Sequence, residues 1–596
     1  MHSKDPLEYY AAAGDAAAGE IARLKRRAVA VSWARLAVVG VAIAGTWLLW
    51  GSVQAMTATL VAAAILFLAL VKLHNRLFGR MSMQEALQQV SADNLRRARL
   101  ELDGLDGGDE YIDTRHAYSY DLDLFGRRSV FALLNATATP GGRDRLARNL
   151  IDTGRVTADI ESRQKAVAEL SAMHDFRTRL QALGIVARGN DDKAAEDAEP
   201  PQAKLRAWQR IAIHLFPTAM VVLIVLAVAG MEVAVYIETV ALLSLLSAAA
   251  GAKQVGRIHA DVEKVVSSIS VYHNLLAEIE QHRFSSPLMQ QLQQRLGSNG
   301  EKSSVITGKL SKLLANLDQR YNWLSYVLLN ILLQWDYRQV RNVEKWLNRY
   351  SPKLAEWRDV LACTDELCAL ATFAFCCRCD VLPTIDRQND GIVIEARNLG
   401  HPLIPGDRCV CNDVRTMTAG NFMVVTGANM AGKSTYLRTV GVNYLLALIG
   451  APVRAAEMKI GITSLFTGLR TTDSLGDGES YFFAELRRLQ SIVQRAEAGE
   501  RLLVILDEIL KGTNSADKQK GSLALVGKLV KMNVAGIIAT HDLVLGTLAD
   551  RFPGRVFNRC FEAEIDGDTL HFDYKLHDGV ARNLNAYFLM QHMGIV

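Results

Sequence analysis

Four apolar stretches constrain this chain more than anything else in it: Leu36–Trp50, Met56–Val71, Ile211–Gly230 and Val233–Ala250. A bilayer core takes roughly 20 apolar residues as a helix, with a range of about 17 to 25. The first stretch reaches that length by extending back through AVAVSWAR to Ala28, where Arg35 can snorkel toward the headgroups. The stretches fall in two pairs, one joined by GSVQA and the other by Met231-Glu232, so the sequence predicts two tight membrane hairpins; Glu238 interrupts the fourth stretch. Charge sets their direction. Arg23, Lys25, Arg26, Arg27 and Arg35 precede the first hairpin and Lys72, Arg76 and Arg80 follow it. Lys204, Arg206 and Arg210 precede the second, and Lys253 and Arg257 follow it. The connecting loops carry no Lys or Arg, and positive flanks stay cytoplasmic. The expectation is a multi-pass protein of the cytoplasmic (inner) membrane, in contact with the lipid bilayer, with everything after Arg257 in the cytoplasm. No cleavable signal peptide is expected, because the first apolar run starts late.

At 596 residues the chain is long enough for several domains at about 150 residues each. Composition leaves a nucleic-acid partner open, since 67 basic and 63 acidic residues leave a net charge of +4. Residues 1–80 hold the N-terminal segment and first hairpin. Residues 81–205 read as helical and end in the acidic linker Gly189–Pro201; 206–257 hold the second hairpin. Residues 258–382 are again mostly helical, broken at FSSP and GSNGEKSS, and the run Leu324–Tyr337 reads as a short buried helix. After Pro383 the pattern changes to β-type runs alternating with helices, so 383–596 is expected to be an α/β domain. Five of the eight cysteines, Cys363, Cys368, Cys376, Cys377 and Cys379, lie in an apolar segment without paired C-x-x-C spacing, which reads as buried thiols in a core helix.

The chemistry lies in this last part. Gly427-Ala-Asn-Met-Ala-Gly432-Lys433-Ser434 fits G-x-x-x-x-G-K-S/T between an apolar strand run and a helical pattern. Glycines let backbone N–H groups approach phosphates, and the helix N-terminus adds partial positive charge. Lys433 would reach the β- and γ-phosphates and Ser434 would bind Mg2+. Downstream, the strand run LLVIL ends in Asp507-Glu508, suited to holding the metal shell and polarising water, and GIIAT ends in His541, placed to sense the γ-phosphate.

Four segments make this pattern specific: TGANMAGKST, DSLGDGESYFFAEL, LDEILKGTNS and ATHD, with GHPLI upstream. Together they resemble the ATPase domain of the MutS family of DNA mismatch-repair proteins, and LFGRRSVFALLNATATPGGRDRL resembles the start of that family's helical core. Added to the transmembrane hairpins read from the apolar stretches, the resemblance implies a multidomain fold with an all-α MutS-like core or lever domain and a C-terminal α/β P-loop ATPase domain of ABC type. It implies ATP and Mg2+ as cofactors and a homodimer through the ATPase domains, and it brings mismatched or branched DNA into view as a partner. It carries nucleotide contacts to Gly427, Asn429, Met430, Gly432, Lys433, Ser434 and Thr435, and metal binding to Ser434 and Asp507. Catalytic roles fall to Glu508, His541 and Ser480, the last facing the other protomer's γ-phosphate. Cys409 stands near the family's adenine-stacking aromatic, so Tyr574 is assigned the stacking role. The departures point to a membrane-anchored MutS-like ATPase. No domain with a Phe-x-Glu wedge fits the N-terminus, the second hairpin interrupts the lever region, the chain ends soon after the ATPase without a dimerising extension, and Ile509-Leu-Lys-Gly-Thr replaces Ile-Gly-Arg-Gly-Thr. The alternative class is an ABC-type transport ATPase, disfavoured because no Leu-Ser-Gly-Gly-Gln precedes Leu502.

Overall fold

The computed structural model describes residues 5–188, 204–298, 300–379, 381–388, 391–428, 430–470, 481–511, 513–566 and 569–582. Two very long helices open the chain, α1 (Pro6–Leu48) and α2 (Val53–Ala98). They turn on each other at Gly51, whose φ of +112° suits glycine. Both run far beyond their apolar stretches. Between Pro6 and Pro140 there is no proline to stop a helix, so α2 passes straight through residue 80. It ends at Ala98, and Leu100 then turns left-handed at φ +57°. The linker 189–201 lies outside the described residues.

The middle of the chain is helical: α3 (Val130–Leu134), α4 (Pro140–Ile151), α5 (Ile160–Ala172), α6 (His174–Arg188), α7 (Ala207–Val228) and α8 (Ala234–Gln281). There follow α9 (Pro287–Arg295), a small hairpin β1 (Gly297–Ser298) and β2 (Glu301–Lys302), then α10 (Ser303–Leu317), α11 (Trp323–Leu333) and α12 (Trp335–Cys376). α1, α2, α7 and α8 are each long and apolar enough to cross a membrane, by length and composition. Their apolar windows differ: 6% and 0% buried in α1 and α2, but 17% in both α7 and α8. One expectation is corrected. Leu324–Tyr337 is not a buried helix: the chain breaks at Gln334 (φ +48°), and α11 exposes Leu324, Leu328 and Leu332 while burying only Asn330. The cysteine-rich segment is the core helix expected of it, with Cys363, Cys368 and Cys376 buried in α12.

After Pro383 come two sheets. β3 (Thr384–Asp386), β4 (Ile392–Leu399), β5 (Asn412–Thr418) and β7 (Glu457–Gly461) form one, in the order β3-β7-β4-β5. The other joins β6 (Phe422–Gly427), β8 (Ser464–Gly468), β9 (Leu502–Asp507), β10 (Ala535–Thr540), β11 (Val556–Asp566) and β12 (Thr569–Asp578), in the order β12-β11-β6-β10-β9-β8. All its pairings are parallel except β11 with β12. The central strands β6 and β10 are buried throughout, as parallel strands covered on both faces must be. The helices of this domain are α13 (Lys433–Leu448), α14 (Tyr481–Glu497), α15 (Ser515–Lys531) and the short α16 (Leu548–Arg551).

The helical and α/β parts share one core, which runs from Leu122, Phe131 and Leu370 to Val425, Leu437 and Ile505. Buried polar groups pin the joint. Asp121 accepts from the Thr467 hydroxyl (2.7 Å), the amides of Leu469 and Arg470 (both 3.1 Å) and the Arg488 guanidinium (2.8 Å). Arg163 of α5 donates to Ile449 O at the end of α13 (2.8 Å) and pairs with Glu366 of α12 (2.5 Å).

Candidate functional site

The parallel sheet aligns three strand ends. Thr540 pairs with Thr426 and Ala539 with Asp507, so the loops after β6, β9 and β10 open side by side. In open α/β sheets ligands bind at this carboxyl edge. The β6–α13 loop is shaped by glycine: a Cβ on Gly427 would meet Phe561 O at 2.7 Å, and Gly432 has φ +103° at the N-cap of α13. Met430, also left-handed at φ +65°, projects into solvent.

Lys433 is the first residue of α13, and its Nζ donates to Gly427 O (2.8 Å) and Ala428 O (2.7 Å), with His541 Nε2 at 3.4 Å. Burial pulls the lysine down to about 8, against the attraction of Asp507 and Glu508. His541 is lowered by burial and then by Lys433. The Ser434 hydroxyl donates to Asp507 Oδ2 at 2.5 Å. A hydroxyl and a carboxylate side by side are hard oxygen donors, the set a Mg2+ ion takes when it also holds phosphates.

Glu508 follows at φ +49°, its amide bonded to Ala539 O (2.9 Å). Its carboxylate faces Lys518 and His541 at 3.8 Å and Lys511 at 3.9 Å. Two residues on, Leu510 is also left-handed at φ +60°. A non-glycine residue there costs on the order of 1–3 kcal/mol and persists only where its surroundings hold it. Glu485 of α14 is the holder, accepting from the amides of Leu510 (2.5 Å) and Lys511 (3.1 Å), while the Leu510 side chain is buried against α15. Glu485 was legible as part of a motif. Its function as a backbone clamp on the Glu508 loop was not.

These groups line the inner end of a cleft of about 870 Å³. Its other end is formed by His401, Leu403, Pro405, Cys409 and Val410, with Tyr574 on the facing side. The Tyr574 ring leans over the glycine loop, since a Cβ on Gly432 would touch it at 3.2 Å, and Asn412 donates to Tyr574 O (2.9 Å). Burial pushes His401 down to about 4, helped by Arg438 and Arg454, so its ring is neutral, and its Nδ1 accepts from the Leu403 amide (3.2 Å). His401 was singled out only within GHPLI, and no pattern marked it as a cleft residue. Gly427, Met430, Gly432, Lys433, Ser434, Thr435, Asp507, Glu508, His541 and Tyr574 are therefore gathered in or beside one cleft. Asn429 and Ser480 lie outside the described residues.

Comparison with known proteins matches the α/β part of the chain. Residues 423–589 match the family model of MutS domain V. A DNA mismatch repair protein MutS from Thermotoga petrophila is 32% identical over 191 residues, covering 32% of this chain and 24% of that protein. The chain thus spans about a quarter of the length of this curated relative. The matched part contains the glycine loop, Asp507, Glu508, His541 and Tyr574, and over that part the chain is similar to the MutS family.

Proposed function

We propose that this chain is a membrane-anchored, MutS-like ATPase that binds ATP with Mg2+ in the cleft after β6 and hydrolyses it. The observation that carries the reading is the convergence of Lys433, the Ser434–Asp507 pair, Glu508 and His541 on one glycine loop, within the stretch that matches MutS domain V. Loop amides and Lys433 would hold the phosphates. Ser434 and Asp507 would hold the Mg2+ ion, whose charge offsets that of the phosphates. Glu508, on the loop that Glu485 clamps at Leu510 and Lys511, is positioned to orient water and take its proton, and His541 Nε2 stands 3.8 Å from that carboxylate and 3.4 Å from Lys433 Nζ. The base would fit between the His401–Pro405 loop and Tyr574. No observation favours the transport-ATPase reading.

Two hairpins, α1–α2 and α7–α8, would anchor the chain with its α/β domain in the cytoplasm, supported by their length, composition and flanking charges. We extend the reading to a homodimer in which Ser480 completes the partner's site, and to levers moved by the nucleotide cycle. DNA binding is the relative's named association and enters here as a test: homoduplex, mismatched and branched DNA across a salt series, because phosphate-driven binding weakens steeply with salt.

The deciding experiment is ATP hydrolysis by the purified full chain. Lys433→Ala should weaken nucleotide binding, while Glu508→Gln should bind normally and turn over slowly. Equal loss of binding in both would overturn the role given to Glu508. Mixing Ser480→Ala with Lys433→Ala protein should restore part of the activity, since one site of a mixed dimer carries neither lesion. No restoration, while wild-type subunits still assemble, would overturn the shared site.

A further inference from the structure

α11 is a short apolar helix with an exposed face. Its sequence, WLSYVLLNILL, carries no charge, and Leu324, Leu328 and Leu332, four residues apart and so on one face, are 51%, 51% and 44% exposed. At 11 residues it is about 16 Å long, too short to cross a bilayer. Water is a poor neighbour for such a face, so what covers it has to be found on the molecule itself.

Its register against α8 gives the answer. Asp318 meets His259 (2.9 Å), Arg320 donates to Ala252 O (3.1 Å), and Asn330 O and Ile331 O accept from Ser244 (3.0 and 3.1 Å). The segment therefore climbs antiparallel to α8, from charged ground at His259 into the apolar stretch that ends at Ala250. Ser244 lies six residues inside that stretch, or about 9 Å along the helix, short of the midplane of a core about 30 Å thick. The climb ends in a polar turn that exposes none of its polarity. Gln334 donates to Ser244 O and Oγ (both 2.8 Å), Asn330 Oδ1 accepts from the Asp336 amide (3.1 Å), and Tyr337 donates to Ser247 O (2.6 Å). Non-helical backbone at membrane depth survives only when protein buries it in this way. Tyr321 and Trp323, both 75% exposed, stand at the lower end, where aromatic residues line a membrane–water interface. On α8, Leu242, Leu243 and Leu246, next to Ser244 in sequence, are exposed as well.

We propose that α11 is a re-entrant element that enters the cytoplasmic leaflet and turns back at Gln334, with lipid acyl chains covering Leu324, Leu328 and Leu332. This rests on the reading of α7–α8 as a membrane hairpin. It adds a fifth contact with the bilayer, made by the segment that leads directly into α12.

The test uses the full chain with the partly exposed Cys377, Cys409 and Cys411 replaced by serine, in vesicles of phosphatidylethanolamine and phosphatidylglycerol. Single cysteines replace Val305, Leu324, Leu328, Leu332 and Val222 in turn and carry a spin label. Collision with oxygen, which concentrates in lipid, is compared with collision with a water-soluble nickel chelate. The oxygen-to-nickel ratio should rise in the order Val305, Leu324, Leu328, Leu332, Val222. A water-like ratio at Leu328 and Leu332 beside a lipid-like one at Val222 would overturn the proposal and leave the hairpin standing. A water-like ratio at Val222 would remove the hairpin and the proposal with it. Shielding of Leu328 from both reagents would mean that protein, a second copy or another partner, covers the face, and would also overturn it.

Discussion

The two hairpins are built alike from sequence and used differently by the fold. α1 and α2 pack on each other, and below their apolar parts they meet the body of the molecule at discrete points. Tyr10 sits against Phe375, Asn94 bonds to Gln181 (2.9 Å), and Ala86 and Val90 pack on Ala182. Within their apolar windows almost nothing is buried by protein. The second hairpin has a protein neighbour at that depth, α11, and α8 continues unbroken into the main core, where Val255, Val262, Leu275 and Ile279 are buried. The first hairpin has the construction of a tether and the second that of a coupled part. An apolar stretch reports what surrounds a helix, and it is the polar residues inside the stretch, Ser244 here, that report whether the helix has a protein partner.

The largest expected effect comes from arresting hydrolysis. Glu508→Gln should slow turnover by about 10²- to 10⁴-fold with ATP affinity unchanged. In that arrested protein a spin label at Leu243 should change mobility when ATP is added, while one at Leu60 should not. Equal responses at both sites would erase the distinction between tether and coupled part.

Next is the joint between α13 and α12. Arg163 and Glu366 are nearly inaccessible, with side chains 3% and 0% exposed, but Glu366 also meets Arg145 (3.3 Å) and accepts from Asn149 (2.7 Å), so losing Arg163 leaves the carboxylate partnered and costs less than the roughly 3–5 kcal/mol of a one-sided break. Arg163→Met should lower the free energy of unfolding by about 1–3 kcal/mol and abolish the ATP response at Leu243. A response that survives in a folded Arg163→Met protein would show that the nucleotide site reaches α8 by another path.

A smaller contrast lies within the hairpins. Ser244→Val removes the donor to Asn330 O and Ile331 O and should cost about 1–3 kcal/mol in thermal unfolding. Thr59→Val, whose hydroxyl bonds only within its own helix at Ala55 O, should fall within about 0.5 kcal/mol of wild type. Equal losses would contradict the unequal burial of the two hairpins.

The smallest effect is in pH. Burial holds Lys433 at about 8, and nucleotide phosphates would raise it, so binding takes up a proton above that pH. ATP affinity should be flat below pH 8 and fall by up to about tenfold per unit above it. The ATP response at Leu243 should fade in parallel, with Leu60 unaffected throughout. An affinity that is flat to pH 9.5 would mean Lys433 does not meet the phosphates.

Strand-end chemistry was readable in the sequence because it is local: the glycine loop, Asp507-Glu508 and His541 each follow a buried strand run, and the parallel register brings them together. The apolar stretches and the start of the α/β domain were readable for the same reason. What was hidden depends on distant partners. A helix carries no break where its apolar stretch ends, so α2 and α8 run through boundaries placed at residues 80 and 257. Leu324–Tyr337 looked like core because apolar composition does not say which face of a helix other parts of the protein cover. Leu510, in place of the glycine the resemblance led one to expect, is explained only by Glu485, 25 residues away, which holds the left-handed backbone in place. Nothing local marked Asp121 or Arg163, whose partners lie hundreds of residues downstream.

α12 runs 42 residues from the turn at Gln334 to Cys376, with Pro352 inside it. From Trp335 to Glu366 it spans about 46 Å, and Arg163 ties its far end to the helix that begins at Lys433. Coupling between two binding events is reciprocal: a factor by which ATP alters the energy of α11 in its leaflet is the factor by which the leaflet alters ATP affinity. A bilayer whose thickness or packing disfavours the buried leucine face would therefore change how tightly the cleft holds nucleotide. On the proposed reading the membrane is a load on the nucleotide cycle, and by the same linkage the bilayer is an effector of it.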